Sequence, residues 1–392
     1  MKRNCFLLFI ALGMLPLTAV AQKAAAPLQV GHGPQRGPAE PREFISANDI
    51  AKRIAEADAA VASGKMYSGE PLLLQGGYRV TMEWRNIAQN TINAHLDDAE
   101  MFVILEGSGA MEFGGTLVNP HAAGPSPYDG PTMTATSAQG STIYKVAKGD
   151  MIMIPKNTPH RVSQVDGGKL VLWSMILPTP APEPEGTASA SPARAGMPPR
   201  PPNAGGGPQR VPGMPLQVGH GPNRGPAEPH MFTSASDIAD RIAAADAAVA
   251  SGKMYSGEPL LLQGSNRVTM EWRNISQNTI NAHLDDEEMF VILEGSGMME
   301  LGGTLVDPHA AGPSPYDGPT MTATTAQGST LYKVTKGDMI MIPKNTPHRV
   351  SQLDGSKLVL WSMILPPPAS EPASGAPAPT PAAAPAGTVT PQ

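Results

Sequence analysis

Asn93-Ala-His95-Leu-Asp-Asp-Ala-Glu100-Met-Phe-Val-Ile-Leu-Glu-Gly107 recurs as Asn281-Ala-His283-Leu-Asp-Asp-Glu-Glu288-Met-Phe-Val-Ile-Leu-Glu-Gly295, offset by 188 residues. Outward from this stretch the likeness continues. Met66–Pro178 and Met254–Pro366 differ at 12 of 113 positions, so one folded unit is present twice. Within the stretch, Asn93 and His95 are two residues apart and share a strand face. Four residues turn the chain, and Glu100 then opens a second strand with Phe102 and Ile104 on its side. A hairpin of this kind brings His95 and Glu100 into one pocket. A further histidine, His160, follows Pro155-Lys-Asn-Thr-Pro159 on a distant strand.

The rest of each unit reads as β-structure behind one helix. Ser46 caps that helix with Asp49 three residues on, and Ile50, Ile54, Ala57 and Val61 fall on one face. The period then changes to two: Val80, Met82 and Trp84 line one side of a strand, and Arg79, Thr81, Glu83 and Arg85 the other. Short strands are predicted at 101–105, 110–113, 142–146, 151–154 and 169–176. Turn signals divide them at Glu106–Gly109, Lys148–Asp150 and Asp166–Gly168. Met151-Ile-Met-Ile154 is apolar on both faces, as befits a strand between layers. Many short strands with Gly/Pro punctuation predict an all-β sandwich or small barrel. Gly114–Ser141, poor in strand signal, reads as a long loop, a class that is usually functional or mobile.

Ends and composition set further bounds. Lys2 and Arg3, the apolar run Phe6–Leu17 and Ala19-Val20-Ala21 form a secretory signal pattern over residues 1–21. Export to the periplasm or outside the cell is expected, with Gln22 as the first mature residue. The apolar run falls short of the roughly 20 residues that a membrane span needs. The single cysteine, Cys5, lies within the removed segment. The mature chain then has no disulfide, thiolate ligand or cysteine nucleophile. Removing Lys2 and Arg3 takes the net charge from −6 to −8. With no basic stripe, nucleic acid and anionic membrane are poor partners. Two globular units, 27–178 and 215–366, are expected to flank a Pro/Gly/Ala-rich linker (179–214) and precede a Pro/Ala-rich tail (367–392), both disordered.

Two imidazoles and a carboxylate with open positions suit a divalent metal: Mn, Fe, Zn, Ni or Co. The candidate ligands are His95, Glu100 and His160, with His283, Glu288 and His348 in the second unit. Asn93 and Asn281 are candidate weak or water-mediated ligands. Other features have plainer readings. The methionines, Met151 and Met153 among them, fill core space rather than hold Cu(I). His121 is a solvated loop residue rather than a lid. Arg79 and Arg85 pair with Glu83 on a surface strand rather than grip a substrate carboxylate. Trp84 and Trp173 are core anchors.

The spacings resemble those of the cupin superfamily. Its first motif is matched by Asn93-Ala-His95, four residues, Glu100, six residues, Gly107. Its second is matched by Gly149, five residues, Pro155-Lys-Asn157, two residues, His160, three residues, Gln164. The resemblance covers roughly Val80 to Leu177 and its repeat. Asn93 stands where the motif has its first histidine, leaving three of four usual ligands, Asn157 where it has glycine, and Gln164 where it has its terminal asparagine.

What the resemblance implies is two tandem jelly-roll β-barrels, each with a metal pocket in its mouth. The arrangement is that of a bicupin, distantly similar to oxalate decarboxylase. Oxidoreductase, decarboxylase or isomerase chemistry on a small oxygen-bearing molecule follows as an expectation, and no catalytic acid or base is nominated. The alternative is a metal-free cupin that captures a small molecule. Two near-identical barrels on one tether are also expected to pair as an intramolecular pseudo-dimer.

Overall fold

The computed structural model describes residues 43–64, 71–75, 77–124, 130–178, 231–252, 259–263, 266–312 and 318–367. The signal segment, the linker and all but the first residue of the tail lie outside them.

The first copy runs β1 (Phe44–Ile45), α1 (Ala47–Ala62), β2 (Pro71–Gln75), β3 (Tyr78–Arg85), β4 (Ile92–His95), β5 (Ala99–Phe113), β6 (Thr116–Leu117) and β7 (His121–Ala122). It continues with β8 (Thr132–Ala135), β9 (Ala138–Gln139), β10 (Thr142–Ala147), β11 (Met151–Ile154) and β12 (His160–Leu177). The second copy repeats this order. It opens with β13 (Phe232–Thr233), α2 (Ala235–Ala250), β14 (Pro259–Gln263), β15 (Asn266–Arg273), β16 (Ile280–His283) and β17 (Glu287–Leu301). There follow β18 (Thr304–Leu305), β19 (His309–Ala310), β20 (Thr320–Ala323), β21 (Ala326–Gln327), β22 (Thr330–Thr335), β23 (Met339–Ile342) and β24 (His348–Leu365).

Each copy is built on one long antiparallel ribbon, β5 with β12 and β17 with β24. In the first, His160 stands opposite Phe113 and Ile176 opposite Glu100. Laid flat, the 13 steps from Glu100 to Phe113 would span about 43 Å. Yet Glu100 Oε2 and His160 Nε2 are 2.8 Å apart. The ribbon is therefore folded over on itself, and this folded ribbon is the jelly roll. Register shifts between Val162 and Gln164, Val165 and Leu170, and Val171 and Leu172 accommodate the bend.

The glycines read as turns serve this bend. Residues 106–109 and 166–168 lie inside continuous strands, a correction to the turn reading. Gly107 has φ +83°, and a Cβ there would lie 2.2 Å from the Lys169 carbonyl oxygen. No other residue allows the two strands to approach so closely. Lys148–Asp150 is a turn, as predicted.

Two kinds of core result. Ile152 and Ile154 enter the barrel interior with Phe102, Ile104 and Val162, whereas Met151 and Met153 join an apolar layer outside it. The two-faced strand is thus buried between layers. That outer layer takes residues from both copies: Met82, Trp84 and Trp173 with Met270, Trp272 and Trp361. Trp173 and Trp361 have ring centroids 6.3 Å apart. Ile50, Ile54, Ala57 and Val61 of α1 pack into the same layer, and Ser46 Oγ accepts from the Asp49 N–H at 3.0 Å.

The face of β3 expected at the surface is instead buried: Arg79, Thr81, Glu83 and Arg85 are all covered. Arg85 does pair with Glu83, whose other oxygen accepts from Ser174 Oγ at 3.1 Å. Having two covered faces, β3 alternates charged and apolar residues because it separates a polar interior patch from the apolar layer.

The strand before each helix crosses to the other copy. β1 pairs with β23 and β13 with β11. Nothing in a two-residue strand announces its partner. Tyr78 Oη donates to the Pro366 carbonyl, also between copies. Burial first, then Glu287, Asp286 and Asp98, hold its phenol well above the usual range.

Gly107→Ala is expected to cost about 2–4 kcal/mol in denaturant unfolding. A loss below ~0.5 kcal/mol would show that the strands do not meet as described.

Candidate metal centre

Each group of the triad arrives on a different element. His95 ends β4, Glu100 is second in β5 and His160 begins β12. His95 Nε2 lies 3.1 Å from Glu100 Oε2, and His160 Nε2 lies 2.8 Å from the same oxygen. The second copy has 3.2 Å for His283 and 2.9 Å for His348, both to Glu288 Oε2. The imidazole centroids are 5.3 Å apart in each copy. Relative exposures of 6% for both His95 and His160 and 1% for Glu100 put the group out of bulk water.

The outer ring nitrogens define the chemistry. His160 Nδ1 is 2.9 Å from the Thr158 carbonyl oxygen. A carbonyl only accepts, so Nδ1 carries the proton. His95 Nδ1 is 3.0 Å from Thr132 Oγ1, whose own proton goes to the Gly130 carbonyl. That histidine, too, donates from Nδ1. His348 with Thr346 and His283 with Thr320 repeat the pattern at 2.9 Å each. Were both rings neutral, their Nε2 lone pairs would face a carboxylate oxygen. Such a meeting of acceptors is stable only if positive charge lies among them, as protons or as a metal ion.

The donor set fits a metal. Two ligand atoms each about 2.1 Å from one ion and at right angles are about 3 Å apart. The observed 2.8–3.2 Å separations match this, and all donors of each group fall within 4.8 Å of one another. Burial raises the Glu100 pKa, but hydrogen bonds from His160 and His95, and their charge, outweigh it. The carboxyl is held well below its usual range, and Glu288 likewise by His283 and His348.

The connecting turns lock the ligands together. The Asn157 N–H donates to the His95 carbonyl at 2.5 Å, and Asn157 takes φ +55°. An asparagine replaces the motif glycine here because it tolerates the left-handed region. Gln89 clamps β12 through Val162, with Oε1 accepting from its N–H at 2.7 Å.

Asn93 and Asn281 stand in register with His160 and His348 on the neighbouring strands. His121 is exposed on β7. Gln164 points away from the centre, bonded to Lys145 and Asp166. Thr132 and the Thr158 carbonyl were missed from sequence. Thr132 lies on β8, within the stretch read as a loop, and pairs in register with His95. Alternation in Thr132-Met-Thr-Ala135 was the available signal, at four residues too short to weigh.

No family profile matches this sequence, and no curated protein does. Solved structures do. A salicylate 1,2-dioxygenase from Pseudaminobacter salicylatoxidans aligns over 84% of this chain and 87% of its own at 10% identity, with a TM-score of 0.46. A cupin 2 conserved barrel domain protein from Leptotrichia buccalis covers 83% and 98% at 9% identity and 0.38. An oxalate decarboxylase covers 84% and 78% at 12% identity and 0.35. At these identities the likeness lies in fold alone. The strand pairings of this chain by themselves define two tandem jelly rolls.

The low carboxylate pKa carries a pH signature. A depressed folded pKa stabilises above the unfolded value, near 4.3, and that contribution is lost as pH falls toward the folded value. In chelator-treated protein, Glu100→Gln/Glu288→Gln should therefore lower the melting temperature at pH 5. The gap should shrink steadily below pH 4. A gap that widens in acid contradicts the triad's charge state.

Proposed function

We propose that this chain is an exported bicupin that binds one divalent metal ion in each barrel and acts on a small oxygen-bearing organic molecule. The observation that carries the reading is the pair of Nδ1-anchored imidazoles converging on one buried carboxylate oxygen, in both copies. His95, Glu100 and His160 would hold the ion in the first barrel, and His283, Glu288 and His348 in the second. Asn93 and Asn281 supply a weak or water-mediated contact. A bound Mn, Fe, Zn, Ni or Co ion supplies Lewis-acid or redox chemistry at its open positions.

The protein's own contributions are separable from the ion's. Thr132 and the Thr158 carbonyl fix the ring orientations, so little reorganisation is needed when a ligand enters. Burial excludes water from the anionic Glu100.

Export rests on the N-terminal signal pattern of residues 1–21. The boundaries 27–178 and 215–366 follow the repeat. The apolar layer shared by Trp173 and Trp361 supports an intramolecular pseudo-dimer in solution. Among the described residues no helix is long and apolar enough to cross a membrane.

Full-length protein purified without a His tag, stripped with chelator and reloaded, should hold about two equivalents of divalent metal by elemental analysis. His95→Ala should hold one, and His95→Ala/His283→Ala none. Wild-type protein that takes up no metal under several loading conditions retires this reading in favour of a metal-free binding module.

A further inference from the structure

The strand that crosses between copies reaches toward the other copy's metal centre. Thr233 and Phe232 of β13 stand opposite Met151 and Ile152 of β11. On its other edge β11 pairs with β5, where Ile154 faces Glu100. The Met153 N–H donates to the Met231 carbonyl at 2.8 Å. Asp150 fastens the end of the arm, accepting the first helical N–H of α2, that of Ala235, at 2.8 Å while its second oxygen accepts the Ala147 N–H at 2.8 Å. The arm is thus the edge strand of a sheet that carries Glu100.

Its side chain continues inward. Phe232 packs against the first barrel's interior cluster. Its ring lies 5.9 Å from Tyr144, which stacks on Phe113 at 4.1 Å and 6°. Phe113 is the strand partner of His160. The second barrel mirrors this. Phe44 packs into its interior cluster 5.8 Å from Tyr332, and Leu301 replaces Phe113 opposite His348. The Met341 N–H donates to the Glu43 carbonyl at 2.7 Å, and Ala47 N–H to Asp338 at 2.7 Å. Ile342 faces Glu288.

Resting on the metal reading above, we infer that Phe232 is a positioning residue for the first barrel's metal centre and Phe44 for the second's. Each site is completed by the copy that does not contain its ligands. Removing the Phe232 ring opens a cavity beside Tyr144, which lets Phe113 and its partner His160 shift. Displacing a ligand's support typically costs metal affinity tenfold or more.

The test is crossed. In full-length His283→Ala/His348→Ala protein, only the first barrel can load. Co2+ titration by visible absorption against a competing chelator should there show Phe232→Ala weakening binding about tenfold, Phe232→Leu restoring most of it, and Phe44→Ala leaving it unchanged. In His95→Ala/His160→Ala protein the pattern should invert, with Phe44→Ala weakening binding and Phe232→Ala silent. Affinity unchanged in Phe232→Ala, or lowered equally in both backgrounds by either variant, overturns the inference while metal binding stands. A wild-type chain that binds no Co2+ overturns the metal reading and this inference with it.

Discussion

Folding over of one long antiparallel ribbon is the constraint on which everything else rests. In a flat sheet Glu100 and His160 would lie at opposite ends of the ladder. They touch because the ribbon doubles back, and it doubles back because bulges and side-chain-free positions permit it. Gly107 and Gly109 each face a carbonyl oxygen across the ladder at a distance that would leave no room for a Cβ. Barrel closure and assembly of the charged triad are therefore one event. A change that straightens the ribbon removes the centre without touching a ligand.

Once assembled, the centre is a concentration of lone pairs with its geometry set from outside. Carbonyl and hydroxyl acceptors hold the outer ring nitrogens, so the inner ones face Glu100 or Glu288 in a single orientation. The main-chain bond from Asn157 to His95 ties the ligand turns into one unit. The same pattern of contacts occurs in both copies, although the twelve differences between them include two positions in the barrel walls. Ala110 and Phe113 of the first become Met298 and Leu301 of the second. Leu301 stays in the second barrel's interior cluster, whereas Met298 is only half-buried and lies outside it.

Much of this was legible in the residues. The repeat, the helix with its cap and four buried positions, the apolar strand at 151–154 and the spacing of two histidines and a glutamate all carry local signals. The misses share a cause. Glycine clusters at 106–109 and 166–168 look the same whether they end a strand or bend one, because both uses need a backbone without a Cβ. Glu83 and Arg85 look exposed because charge normally marks a surface, but a buried pair satisfies itself. Thr132 was hidden in a four-residue strand whose partner, β4, lies 37 positions upstream. Short edge strands carry no mark of the sheet they join, so the crossing of β1 and β13 could not be read at all.

That crossing inverts the order in which the barrels reach completion. The first barrel has its ligands in place by residue 160, but its closing strand is Phe232–Thr233, some seventy residues later in the chain. The second barrel's missing strand, Phe44–Ile45, is made before any other part of either barrel. During synthesis the earliest strand has nowhere to go until the latest barrel exists, and the earlier barrel stays open at one edge until the later copy has begun to emerge.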